Sequence, residues 1–244
     1  MGQDREETGS ATGGGAPALP AWATQALRGV PPGASREFIS GVSLLRACPG
    51  AVLSRPDAPT QVVLFVASGT VRLDRPAGRG RVTLALLGPG ELVGEVAAVD
   101  DEPRTATVTA VEPAELAAVS RAAFVRALDR VPGFAANVIR LLATRLRDAD
   151  ATVVSLASME VDRRVARQLL AFGDRYGIAG ADGAVRVPLR LTQQDLASLV
   201  GASRERTNRA LVAYKRRGWI AVDRDFHVTI VRPDLLAKRV NNRF

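Results

Sequence analysis

The sequence has very few of the side chains that bind metals or form covalent cross-links. Its 244 residues include one cysteine, Cys48, and one histidine, His227. With a single cysteine, this sequence cannot form a disulfide within itself. It also cannot supply the several cysteines that a zinc site or iron–sulfur cluster would need from one chain. His227 alternates with apolar neighbours, so we expect a surface residue of a strand rather than a metal or haem ligand. We therefore expect no metal site and a reducing, cytoplasmic location.

Long apolar runs and catalytic groupings are also missing. The longest strongly apolar run covers Val62 to Ala67, far short of the roughly 20 residues that a transmembrane helix needs. The N-terminus has no cationic region followed by an apolar one, so no signal peptide is expected. No nucleophile stands with a matching base and no carboxylates cluster as in a metal centre, so we expect no catalytic residues and no enzyme. The composition, 47% hydrophobic and 24% charged, is that of a soluble protein.

The charge is unevenly distributed along the chain. Residues 1–160 hold 16 Lys/Arg and 17 Asp/Glu, and residues 161–244 hold 17 and 8, so the net charges of −1 and +9 add up to +8. A basic segment attached to a near-neutral one is typical of proteins that bind the phosphate backbone of nucleic acid. A membrane surface is the main competitor, but no amphipathic helix with an aromatic apolar face supports it.

Residues 193–212 have the pattern of a helix-turn-helix. Thr192 with Asp195 three residues later predicts a helix start, and apolar residues then recur at helical spacing. Gly201 falls where the turn needs an unusual backbone angle, and Ser203 can cap the second helix. This second helix is expected to expose four polar side chains on one face: Arg204, Glu205, Asn208 and Arg209. The structural alternative is a solvated helix face in which Glu205 only pairs with Arg209.

In a DNA-binding role, this face reads bases in the major groove. Arg204 and Arg209 can each bind the O6 and N7 of a guanine, and Glu205 can accept from a cytosine amino group. Four further side chains are expected to touch phosphates: Arg206, Ser203, Thr192 and Gln194. The alternating residues around Asp223-Arg224-Asp225 predict a strand, a tight turn and a strand, the wing of a winged helix. We place the DNA-binding domain at residues 161–244.

The first half of the sequence predicts a β-rich domain. Short apolar runs separated by Gly and Pro turns occur between residues 40 and 120, which favours an all-β roll over βαβ units. We place this roll at residues 26–135. Residues 1–18 are rich in Gly, Thr, Ser and acidic residues and are expected to be disordered, and the boundary of this tail is placed at residue 25.

One segment of the roll, GELVGEVAAVDDEPRTATV at residues 90–108, departs from strand alternation. It is similar to the phosphate-binding cassette of cyclic-nucleotide-binding domains. Together with the winged helix behind it, the chain from about residue 40 resembles the Crp/Fnr family of bacterial transcription regulators, whose activators bind cyclic AMP. The resemblance implies an α+β architecture: a cyclic-nucleotide-binding β-roll of the double-stranded β-helix or jelly-roll type, a long dimerisation helix and a C-terminal winged helix-turn-helix. It also implies RNA polymerase as a partner and half-sites of TGTGA type.

Carried onto matching positions, the resemblance implies roles for individual cassette residues. Arg104 would pair with the cyclic phosphate, Glu95 would accept from the ribose 2′-hydroxyl, and Gly94 would let the backbone approach the ligand. Thr105 would add a hydroxyl, and Val96 lies between these groups. The alternative is an Arg104–Glu95 ion pair in a roll that has lost its ligand, so that the domain is a structural or partner-binding platform.

The segment between the two domains, residues 136–160, is expected to contain a dimerisation helix and a hinge. Its apolar residues recur at spacings of 3 and 4: Ile139, Leu142, Leu146, Ala149, Val153 and Leu156. This heptad pattern favours a parallel homodimer, which suits two-fold symmetric DNA sites. The positions that contact adenine in family members match Ala149 and Asp150. Because Asp150 offers only acceptors, it could bind the adenine amino group or the Watson–Crick edge of guanine. Cyclic AMP, cyclic GMP, another ligand and no ligand therefore stay open.

Overall fold

The computed structural model describes residues 19–59, 61–78 and 80–241. The helices are α1 (Pro32–Ser40), α2 (Glu95–Asp100), α3 (Arg121–Arg130), α4 (Pro132–Ser158), α5 (Val161–Tyr176), α6 (Gln193–Leu199), α7 (Arg204–Arg216) and α8 (Pro233–Asn241). The strands are β1 (Ser43–Ala47), β2 (Val52–Ser54), β3 (Val62–Ser68), β4 (Val71–Ala77), β5 (Gly80–Leu87), β6 (Leu92–Val93), β7 (Thr107–Ala110), β8 (Ala114–Ser120), β9 (Ile178–Ala179), β10 (Val185–Val187), β11 (Ile220–Val222) and β12 (Val228–Ile230). None of the helices formed by the described residues is both long and apolar enough to cross a membrane.

Two antiparallel sheets form the roll. Their strand orders are β1-β8-β3-β6 and β2-β7-β4-β5, and every pairing is antiparallel. Apolar side chains from both sheets meet between them, including Val66, Val71, Val108 and Leu116. The all-β roll predicted from the short apolar runs is therefore confirmed.

A second cluster packs the helices against the outer side of the first sheet. Trp22, in a 3-10 turn at Ala21–Ala23, is 6% exposed, and its ring centroid lies 5.1 Å from that of Phe65. The placement of the tail boundary at residue 25 is therefore wrong for residues 19–25, because burial of Trp22 holds this segment on the roll. Residues 1–18 of the predicted tail lie outside the described residues.

The long helix α4 leaves the roll and ends beside the C-terminal unit. It begins at Pro132, four residues before the expected boundary, because proline is well suited to the first turn of a helix. Phe134 and Val138 are buried against the roll. Further along, Ile139, Leu146 and Val153 of the predicted seam are 65%, 64% and 66% exposed. The single chain therefore leaves this apolar stripe uncovered.

The C-terminal unit is a winged helix. Helices α5, α6, α7 and α8 surround a sheet of order β11-β12-β10-β9. The predicted wing is confirmed as β11 and β12, whereas β9, β10 and α8 were not predicted. His227 precedes β12 instead of lying within a strand. Its side chain is 17% exposed, and its Nε2 lies 3.7 Å from a carboxylate oxygen of Glu112 in the roll. The expectation of a surface strand residue is wrong because the roll covers this end of the wing.

Candidate functional site

The cassette is built around a close approach between Gly94 and Arg104. Gly94 has φ 89° and precedes α2, and a Cβ added to it would lie 2.6 Å from Nη1 of Arg104. The backbone angle therefore favours glycine here, and a side chain at this position would displace the guanidinium of Arg104. The loop after α2 returns Arg104 to this glycine, so the backbone at the start of α2 and the guanidinium face the same space.

Arg104 is a buried cation that has no ion-pair partner among the described residues. It is 7% exposed, and Nη2 donates to the carbonyl of Val62. Within residues 19–59, 61–78 and 80–241, no carboxylate lies within salt-bridge distance of it. Burial lowers the pKa of Arg104, and the negative charge of Glu95 only partly offsets this effect. A guanidinium in this setting is well suited to binding an anion.

Glu95 is satisfied by a residue outside the cassette. It is 4% exposed, and its Oε1 accepts from Nη1 of Arg145 in α4. The Arg104–Glu95 ion pair considered as an alternative is therefore not formed. Arg145 also binds Oε2 of Glu91 at 2.8 Å and the carbonyl of Leu92. Burial disfavours its charge, but Glu95 and Glu91 outweigh this effect and leave the pKa of Arg145 above its usual value.

The predicted ligand residues, apart from Asp150, line one cavity of about 140 Å³. These residues are Gly94, Glu95, Val96, Arg104 and Thr105, and Arg145 completes the wall toward α4. Asp150 is exposed on α4 and does not line this cavity of its own chain.

Sequence reasoning missed Glu91 and Arg145. The available signal for Glu91 was a charged residue beside the buried strand β6. The signal for Arg145 was an arginine next to the apolar seam of a helix that starts on the roll.

The helix-turn-helix consists of α6 and α7. The Thr192 hydroxyl accepts from the Asp195 N–H at 3.1 Å, and the Ser203 hydroxyl accepts from the Arg206 N–H at 3.3 Å. Both predicted caps are therefore present. Gly201 in the turn has φ 58°, and a Cβ there would lie 2.6 Å from Cδ2 of Leu156. The backbone angle favours glycine here, and a side chain would also displace Leu156 at the end of α4, which packs against the turn.

The polar face of α7 is open to solvent. Arg204, Glu205, Arg206 and Arg209 are exposed. Glu205 pairs with Arg209 at 2.9 Å, but the two side chains are 82% and 75% exposed, so this pair contributes little stability. Gln194 is also exposed, whereas Thr192 and Ser203 use their hydroxyls as caps. The candidate base-reading groups are thus free to exchange their contacts for DNA.

The comparisons with known proteins agree with this arrangement. Residues 44–131 match the cyclic nucleotide-binding domain family, and residues 163–239 match the Crp-like helix-turn-helix domain family. The chain is 36% identical over 166 residues to the CRP-like cAMP-activated global transcriptional regulator of Mycobacterium tuberculosis, covering 68% of this chain and 74% of that protein. It is 41% identical over 160 residues to the Cyclic AMP receptor protein of Thermus thermophilus, covering 65% and 70%.

The structure of FixK2 from Bradyrhizobium japonicum has the same fold. It aligns with a TM-score of 0.70 at 20% identity, covering 83% of this chain and 99% of that one. One conclusion follows from the domain order, from the exposed polar face of α7 and from these relatives. The chain belongs to the Crp/Fnr family of DNA-binding transcription regulators.

Proposed function

We propose that this protein is a cytoplasmic homodimeric transcription regulator whose affinity for DNA is controlled by a cyclic nucleotide. The observation that carries the ligand half of this proposal is the buried guanidinium of Arg104, which has no carboxylate partner among the described residues. A cyclic phosphodiester is a monoanion and would supply the missing charge. Glu95, across the same cavity, would accept from a ribose hydroxyl.

The exposed face of α7 supports the DNA half of the proposal. Arg204 and Arg209 are five residues apart on α7, and Glu205 directly follows Arg204, which suits guanine, cytosine and guanine contacts in a major groove. We therefore propose TGTGA-like half-sites arranged as a palindrome, and RNA polymerase as a further partner. Arg206, Thr192, Gln194 and Ser203 are proposed to contact phosphates.

The uncovered stripe on α4 supports a homodimer. Apolar side chains more than 60% exposed at Ile139, Leu146 and Val153 recur along one seam of a 27-residue helix. Pairing two copies in parallel would bury this seam. It would also relate the two recognition helices by a two-fold axis, as a palindromic site requires.

We propose cyclic AMP ahead of cyclic GMP as the ligand. Two relatives carry cyclic AMP in their names. In a dimer, the exposed Asp150 of α4 is available to accept the adenine amino group, although a carboxylate could equally accept from guanine. The two nucleotides must therefore be compared directly.

Isothermal titration calorimetry of the purified protein against cyclic AMP and cyclic GMP tests this function. We expect saturable binding with one site per protomer and the tighter dissociation constant for cyclic AMP. Tighter binding of cyclic GMP would reverse the choice of base. If neither nucleotide binds and the protein still binds a palindromic site, the roll is a ligand-independent platform, the role that the Glu95–Arg145 pair favours because it satisfies the carboxylate without a ligand.

A further inference from the structure

Glu91 lies at the point where the roll, the long helix and the DNA-binding domain meet. Its side chain is 2% exposed, and its two carboxylate oxygens bind different partners. Oε2 accepts from Nη2 of Arg145 in α4 at 2.8 Å, and Oε1 accepts from Nε of Arg175 in α5 at 2.7 Å. A buried carboxylate is stable only with such partners, so Glu91 holds both helices to the cassette.

Arg175 makes a second contact across the same boundary. Its Nη1 lies 2.6 Å from Oδ2 of Asp148 in α4, and its side chain is 20% exposed. The neighbouring Tyr176 hydroxyl lies 3.3 Å from Oε1 of Glu91. The last turn of α5, which belongs to the winged helix, is therefore attached to the roll and to α4 by one guanidinium and one phenol.

Arg145 connects this junction to the ligand cavity. One of its terminal nitrogens binds Glu95 in the cavity wall and the other binds Glu91. Its Nε is buried without a hydrogen-bond partner among the described residues. The side chain thus spans two buried carboxylates, one in the cavity wall and one at the domain junction, and keeps one unsatisfied donor.

We propose that Glu91 and Arg175 are positioning residues that transmit occupancy of the ligand cavity to the DNA-binding domain through Arg145. This inference rests on the proposed function. A ligand hydroxyl on Glu95 competes with Arg145 for the carboxylate. Arg145 then moves relative to Glu91, and this movement changes the hydrogen bond between Glu91 and Arg175. Because α5 packs against α7, a movement of α5 changes the orientation of α7, the recognition helix.

The test compares coupling factors. The coupling factor is the ratio of the DNA dissociation constants without and with saturating cyclic AMP, measured by fluorescence anisotropy on a palindrome selected with the parent protein. For an allosteric protein this factor is typically about 5–150. Arg175→Gln should reduce it to less than a third of the parent value. By reciprocity, the effect of DNA on cyclic AMP affinity should fall by the same ratio.

Two further variants make the comparison specific. Arg232→Gln removes the same charge from an exposed pair with Asp234 in the same domain and should keep the parent factor. Arg175→Lys keeps the charge but offers one ammonium in place of the three guanidinium nitrogens that bind Glu91 and Asp148, so it should also lower the factor. It replaces Arg175→Gln should that variant fail to fold. A purely structural role would lower stability without changing the ratio.

The outcomes separate this inference from the proposed function. Suppose that cyclic AMP changes the DNA affinity of the parent and that both Arg175 variants keep the coupling factor within twofold of the parent value. The positioning role of Glu91 and Arg175 is then wrong, and the proposed function stands. If the parent binds no cyclic nucleotide or has a coupling factor of one, the proposed function is wrong, and so is the positioning role of Glu91 and Arg175.

Discussion

Arg72 of the roll forms an ion pair with Asp195 of the first helix of the helix-turn-helix, with Nη1 and Oδ1 2.8 Å apart. The side chains are 12% and 5% exposed, and Nε of Arg72 also binds Asp74, whose side chain is 4% exposed. One guanidinium therefore binds two buried carboxylates, that of Asp74 within the roll and that of Asp195 across the domain boundary. Beside it, the Thr83 N–H donates to the Ser198 hydroxyl at 2.8 Å.

Arg72→Ala should destabilise the docked winged helix. Removing one partner of a buried pair leaves an uncompensated charge, and we expect a loss of roughly 3 kcal/mol in the free energy of unfolding. Urea denaturation followed by Trp219 fluorescence in a Trp22→Phe background measures it. Arg46→Ala, which removes an 86% exposed arginine, is the control and should change stability by less than about 1 kcal/mol. Equal stability of the two variants would contradict a docking role for Arg72.

Arg104→Ala should abolish tight cyclic nucleotide binding. The phosphate loses its buried cation, which we expect to cost roughly 2–3 kcal/mol or about a hundredfold in affinity. Calorimetry against cyclic AMP measures the loss, with Arg46→Ala as a matched control in the same domain. A folded Arg104→Ala protein that binds like the parent would remove Arg104 from the site.

Substitutions in α7 should separate base contacts from phosphate contacts. Arg204→Ala and Arg209→Ala should each weaken binding by about 1–3 kcal/mol and relax one base position. Arg206→Ala should weaken all sequences alike and lower the slope of log affinity against log salt by about one unit. Site selection with each variant, followed by salt titration, measures both effects. An Arg204→Ala preference identical to that of the parent would show that Arg204 reads no base.

Leu146→Glu should convert dimers to monomers. Leu146 is 64% exposed in the single chain, and a charge at this seam position would be buried without a partner in a parallel pair. Sedimentation equilibrium at micromolar concentration compares the variant with the parent, and the variant should also lose binding to a palindrome. A parent that sediments as a monomer with and without cyclic AMP would refute the coiled-coil interpretation.

The parts of the structure that were predictable depend on local patterns. The caps at Thr192 and Ser203, the turn at Gly201 and the alternating strands of the wing all involve residues close in sequence. The contacts that join the domains were not predictable in this way. Glu91 and Arg145 are 54 positions apart, and Arg72 and Asp195 are 123 apart. Periodicity and spacing carry no signal for such pairs, because they depend on how complete domains pack.

The ordered structure of residues 19–25 was not predicted, for a different reason. The glycine-rich composition of residues 1–18 predicts disorder, but Trp22 directly after it buries a large aromatic surface on Phe65. The burial of one large aromatic side chain outweighs the composition of the residues around it. Composition averaged over a sequence window that contains both the glycine-rich residues and Trp22 does not reveal this anchor.

Anisotropy titration of a selected palindrome with and without saturating cyclic AMP measures whether cyclic nucleotide binding changes DNA affinity. We expect the DNA dissociation constant of the parent to shift at least about fivefold on addition of cyclic AMP, and that of the Arg104→Ala variant to stay the same. Identical parent curves with and without cyclic AMP and cyclic GMP would contradict it.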